Sequence, residues 1–125
     1  MQLAQGNTSN DETLRDSELA EILKVFEPDR AANHPHILMG DFHSHAPSAV
    51  TNALKDAGYI DTFLLRSGRA TLGSYSTQSP TQRFDYIFSH GFPGKSIKEA
   101  RIEQDRLAKY ASDHFPVFAE IEVGS

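Results

Sequence analysis

The chain has 125 residues, a formal net charge of −5 and no cysteine. That length suits one domain with one core, and the lack of cysteine excludes disulfides, thiolate metal sites and cysteine nucleophiles. With 17 acidic residues against 12 Lys and Arg, binding nucleic acid non-specifically by counterion release is disfavoured. A phosphate substrate stays open, because a divalent cation can bridge carboxylates and phosphate.

No apolar run approaches the roughly 20 residues a membrane helix needs. Met1 to Asn10 is polar and lacks a signal peptide's apolar stretch, so a cytoplasmic location is expected. Residues 5–12 read as loop, being rich in Gly, Asn, Ser and Asp. A helix is predicted from Thr13 to Phe26, with Leu19, Ile22, Leu23 and Phe26 at helical spacing and Pro28 ending it. The apolar run Ile37 to Phe42 reads as a buried strand that delivers Asp41 to its C-terminal edge. A second helix begins near Pro47, carries Val50, Ala53, Leu54 and Ala57 on one face, and stops at Gly58. Ile60 to Leu65 fits either a short strand or a helical turn, and residues 73–82 read as loop. Phe84 to Ser89 alternates, with Phe84, Tyr86 and Phe88 on one face and Asp85 and Ile87 on the other. Ile97 to Glu103 alternates more weakly, and Val117 to Val123 alternates clearly. The order gives two helices and four or five strands in a layered α/β or α+β domain spanning residues 1–125. The strands at 84–89, 97–103 and 117–123 are expected to be antiparallel neighbours, since their connections are too short for a typical crossover helix.

Three groups place a carboxylate at or beside a strand that otherwise wants burial: Gly40-Asp41-Phe42-His43, Arg83-Phe84-Asp85-Tyr86-Ile87-Phe88 and Ser112-Asp113-His114-Phe115-Pro116-Val117. A buried carboxylate is costly unless paired, hydrogen-bonded or bound to metal. Alone, each has a plain structural reading: Asp41 as a loop cap, Asp85 on a solvated strand face, Asp113-His114 as a turn. His34, His36 and His90 read as exposed or turn residues.

In order and type, the three groups resemble the last three motifs of the endonuclease/exonuclease/phosphatase superfamily, whose pattern is Gly-Asp-Phe-Asn, Arg-Ile-Asp-Tyr-Ile-Phe and Ser-Asp-His-x-Pro-Val. The stretch Asp56 to Phe63 resembles the segment that follows the first motif, and the likeness covers roughly residues 13–123. It implies half of a deoxyribonuclease-I-like four-layer sandwich and a phosphoester hydrolase. By the resemblance, Asp41 polarises the attacking water, His114 stabilises charge on the phosphate, and Asp85 orients His114. Asp113 and Asp41 hold Mg²⁺ or Mn²⁺, while Arg83, His43 and His114 are phosphate-binding; for Arg83 a structural ion pair is the reading favoured over the phosphate contact. His43 replaces the family's Asn, exchanging a donor-and-acceptor amide for an imidazole. Gln2 stands where a family His would fall, and the family's front half, with its metal-anchoring Glu, has no counterpart in these residues.

A half sandwich leaves one sheet face wet, lined by Val117, Ala119, Ile121 and Val123 or by Phe84, Tyr86 and Phe88, so a homodimer packed sheet to sheet is expected. Two competing readings remain. One is a calcineurin-like metallophosphoesterase, in which Asp41-x-His43 and His45 bind a transition metal, though its later Gly-Asn-His groups are missing. The other is a non-catalytic half-domain acting as a binding or scaffold module.

Overall fold

The computed structural model describes residues 1–68, 73–77 and 82–124. Helix α1 (Ser9–Val25) starts four residues before the expected Thr13. The polar residues that favour loop elsewhere here fill a helix's first turn. The Thr8 hydroxyl accepts from the Asp11 amide at 3.2 Å, and the Asp11 carboxylate accepts from the Thr8 amide at 3.1 Å. This capping box satisfies two amides that the helix itself leaves free. After Phe26 a short helix α2 (Glu27–Ala31) restarts with Pro28 in its first turn, where the missing N–H is no loss.

Strand β1 (His36–Asp41) pairs antiparallel with β3 (Asp85–His90), and β3 pairs antiparallel on its other side with the two-residue β2 (Ile60–Asp61). The register sets Leu38 opposite Phe88, Gly40 opposite Tyr86 and Asp41 opposite Asp85. Helix α3 (Ala49–Asp56) follows β1, capped by Ser48, and α4 (Thr62–Ser67) follows β2, capped by Asp61. The segment 60–65 is therefore a strand end followed by a helical turn. A second sheet pairs β4 (Ile97–Ile102) with β5 (Val117–Ile121), with α5 (Arg106–Ala111) between them.

The expected antiparallel pairing of β4 with β5 is present, but β3 is not their neighbour. Buried on one face and half-buried on the other, β3 takes the central place between β1 and β2. Among the described residues there are five α-helices rather than two, because α2, α4 and α5 are too short to show a periodic stripe. The expected loop at 73–82 lies partly outside the described residues. Within it, Tyr75 makes isolated bridges to Gln82 and His114.

Two apolar clusters form where the length suggested one. The larger joins Leu38, Phe42, Tyr86 and Phe88 to Leu19 of α1 and to Val50 and Leu54 of α3. The smaller joins Phe63 of α4 to Ala100, Ile102 and Phe115, with Val117 and Ala119 packed against it. The faces expected to be wet are covered in part: Tyr86 and Phe88 lie under the helices and Val117, Ala119 and Ile121 are half-buried, while Val123 is exposed. The uncovered apolar face is the reverse of the β1–β3 sheet, where Ile37 is 44% and Met39 59% exposed.

The first residues add an unforeseen third partner to β1. The Leu3 amide donates to the Asp41 carbonyl and the Asp41 amide to the Met1 carbonyl, both at 2.9 Å. Gly40, at φ 144°, permits this approach, because a Cβ there would collide with the Met1 backbone. No helix among the described residues is long and apolar enough to cross a membrane.

Candidate active site

Cross-strand pairing puts the Asp41 and Asp85 backbones side by side at one end of the sheet. The segment around Gly73–Thr77 then brings in His114. The Ser74 hydroxyl accepts from the amides of Phe84 and Asp85 at 2.9 and 3.1 Å. The Ser74 carbonyl accepts from the Phe115 amide at 2.8 Å, and the Thr77 amide donates to the Asp113 carbonyl at 2.9 Å. One strap thus holds the start of β3 against the turn that carries His114.

The His114 Nδ1–H donates to Asp85 Oδ2 at 2.6 Å, since an ionised carboxylate only accepts. The ring's Nε2 lies 3.7 Å from Asp41 Oδ2 and 4.0 Å from Asp113 Oδ1. Asp41, Asp85 and His114 each bring one ligand-type atom within 4.8 Å of the others, a group found at no other place among the described residues. Asp113, assigned to the metal by resemblance, stands outside that group with a side chain 73% exposed.

Burial pulls the His114 imidazole down, but its hydrogen bond to Asp85 and the charges of Asp85, Asp41 and Asp113 outweigh it, and its pKa rises. Burial raises the Asp85 carboxyl, partly offset by the same hydrogen bond. The imidazole therefore stays protonated to higher pH than a free histidine would.

His43 grips Asp41 from the other side. Its amide donates to Asp41 Oδ1 at 3.0 Å, and its Nε2 lies 3.1 Å from Asp41 Oδ2. Its φ is 48°, a left-handed conformation that Asn and His tolerate better than most residues, which suits this position to either. Gln2 reaches the same nitrogen at 3.3 Å, so the first residues belong to the site.

Arg83 makes the structural ion pair favoured for it, rather than the phosphate contact that the resemblance implies. Its guanidinium is fully buried, donates to both Asp61 oxygens, and lies 4.4 Å over the Tyr86 ring and 5.3 Å from the Phe63 ring. It has no route to a phosphate in the cleft. Sequence reasoning missed Asp61 as its partner because the two residues are 22 positions apart. His45 is also taken up structurally, its Nδ1 accepting the Arg83 amide at 2.7 Å. Burial and then Arg83 lower its pKa. Neither His43 nor His45 belongs to the three-residue metal-type group found among the described residues. His34 is exposed, as expected. His36 and His90 instead stack on each other at 5.1 Å, with the Tyr59 hydroxyl 2.6 Å from His36 Nε2.

A cleft of about 780 Å³ opens beside the group, floored by His43 and His114 and walled by Tyr75 and Phe84. Tyr75 and Phe84 stack at 5.3 Å; Phe84 reads as a strand-face residue, and Tyr75 carries no signal in the sequence. On the opposite side of the sheet end, Asp41 and Asp85 line a shallower hollow of about 420 Å³ with Met39, Ile87 and Val117.

The family model of the endonuclease/exonuclease/phosphatase proteins matches residues 6–114. The chain belongs to the endonuclease/exonuclease/phosphatase family. Its fold is similar to that of a functionally unknown conserved protein from Enterococcus faecalis V583, with TM-score 0.71 and 24% identity over 88% of this chain and 44% of that one. It is also similar to an endonuclease/exonuclease/phosphatase family protein from Bacteroides thetaiotaomicron, with TM-score 0.63 and 22% identity over 88% of this chain and 45% of that one. This chain thus spans under half the length of either solved structure. No curated protein matches it. The mixed fold of antiparallel sheets and helices is the half endonuclease/exonuclease/phosphatase fold that the three motifs imply.

Proposed function

We propose that the chain carries the C-terminal half of a divalent-cation-dependent phosphodiester hydrolase site. The observation behind this reading is the convergence of Asp41, Asp85 and His114, from three separate stretches of chain, within 4.8 Å. The donor set suits a hard cation such as Mg²⁺ or Mn²⁺. Asp41 and Asp113 both bring a carboxylate oxygen within 4.0 Å of the His114 Nε2, and such ions prefer oxygen ligands. Asp41 and Asp113 would hold the ion, which when bound neutralises phosphate charge.

The chain's own residues account for the proton and charge movements. Asp41, fixed by two contacts from His43, accepts a hydrogen bond from the attacking water and orients it. The water oxygen bonds to phosphorus as the ester P–O bond breaks; Asp41 takes the proton that the water gives up, and the departing oxygen takes its proton from solvent. His114 keeps Nδ1–H on Asp85 and presents Nε2 to the phosphate. Its raised pKa favours the imidazolium, which stabilises charge developing on the phosphoryl oxygens.

The test is hydrolysis of bis-p-nitrophenyl phosphate with Mg²⁺ and with Mn²⁺. Turnover lost in Asp41→Ala and in His114→Ala supports the reading. Equal rates in wild type and variants would mark a contaminant and sink it.

We further infer that the uncovered β1–β3 face packs on a second copy of the chain. Ile37, Met39 and the half-buried Ile87 present an apolar surface of the kind that marks an interface, and two copies supply roughly the length of the solved structures. Sedimentation at micromolar concentration should show a dimer; a clean monomer would refute it.

A further inference from the structure

We propose that the cleft selects phosphodiesters whose far arm carries a positive charge, an amine or a quaternary ammonium; this rests on the hydrolase reading above. The cleft runs from His43 and His114 to the exposed face of α1. Its middle wall is a row of rings: His43 lies 5.7 Å from Phe84, Phe84 5.3 Å from Tyr75, and Tyr75 4.7 Å from His114. Both Tyr75 and Phe84 are half-buried, so part of each ring faces the cleft.

The far wall is acidic. Glu12 and Asp16, one helical turn apart on α1, line the cleft and are exposed, and among the described residues their side chains have no ion-pair or hydrogen-bond partner. Asp113 lines it near His114. Among the described residues that line it there is no Lys or Arg.

Aromatic faces attract cations through the ring quadrupole, and unpaired carboxylates at a phosphate's distal arm attract positive charge and repel negative. A single phosphodiester anion fits at the His114 end. A second phosphate, as along a nucleic-acid strand, would face Glu12 and Asp16 with no Lys or Arg among the described lining residues to neutralise it. The rings alone would accept a nucleobase by stacking, but the carboxylates beyond them favour the cationic arm.

Three chromogenic phosphodiesters with one leaving group separate these outcomes: p-nitrophenyl phosphorylcholine, bis-p-nitrophenyl phosphate and thymidine 5′-(p-nitrophenyl phosphate). With Mg²⁺ or Mn²⁺, the choline ester should show kcat/KM about tenfold above the other two, roughly what one exposed cation–π contact plus one exposed ion pair supply. The double variant Glu12→Gln/Asp16→Asn should bring that ratio close to one. A preference for the thymidine ester, equal rates, or a ratio untouched by the double variant would overturn the proposal while leaving the hydrolase reading intact. If none of the three is hydrolysed, the hydrolase reading fails and binding decides the inference. Calorimetry should then show phosphocholine bound about tenfold tighter than methyl phosphate by wild type but not by the double variant. Equal binding, or none, overturns it.

Discussion

Removing the charge of Asp61 tests how the site's foundation is held. Arg83 and Asp61 form a buried pair, with side chains 1% and 13% exposed, and Arg83 Nη1 lies 3.1 Å from Asp61 Oδ1. The pair joins the start of β3 to β2, one residue before the Phe84–Asp85 amides that Ser74 holds. Asp61 also caps α4, accepting from the Leu64 amide at 3.3 Å. Asn caps a helix about as well as Asp, so Asp61→Asn removes the charge and leaves the cap. Deleting one partner of a buried ion pair strands the other charge and costs about 3–5 kcal/mol. For a chain of this size each kcal/mol moves Tm by about 3–6 °C, so the variant should melt about 9–30 °C lower. Circular dichroism during urea and thermal unfolding measures both. Arg83→Met should cost a similar amount, and the double variant clearly less than the sum of the singles. A loss below about 1 kcal/mol in Asp61→Asn, the level of an exposed pair, would refute a buried, structural role for Arg83.

Asp85→Asn should lower phosphodiester turnover by about 10²-fold or more, because His114 loses the carboxylate that orients it and favours its charged form; steady-state kinetics beside a thermal melt separates this from misfolding. His90 has a pKa lowered first by burial and then by His36 and Arg30. The unfolded chain therefore takes up a proton near pH 6.5 that the folded chain refuses, so the His90 contribution is present above about 6.5 and is lost as pH falls through its lower folded pKa. Urea midpoints between pH 7.5 and 5 should drop for wild type and drop less for His90→Gln. Gly40→Ala should expel Met1–Leu3 from the edge of β1, read as lost hydrogen-exchange protection at the Leu3 amide. Met39→Glu should abolish the self-association proposed for the uncovered face, read by sedimentation.

Much of this site was legible from residue order. The acids at Asp41 and Asp85 stand at ends of strands whose apolar alternation marks them for burial, and local chemistry alone makes such carboxylates conspicuous. The first long helix, its stop before Pro28, the helix after β1 and the β4–β5 pairing likewise follow from spacing and breakers, which act over a few residues. Arg83 shows where that reach ends: an ion pair is expected, but its partner Asp61 is remote in sequence and adjacent only once β2 lies against β3. The same holds for Ser74, whose hydroxyl and carbonyl bind Asp85 to the turn of His114, and for Gln2, which meets His43 only because the first residues pair with β1. The sequence by itself determined which side chains could do chemistry and that they sit at strand ends, since periodicity and turn propensity are local. Only the tertiary structure decided which acid holds His114, which cation is locked in the core and which sheet face stays bare, because those depend on contacts between segments that no local pattern encodes.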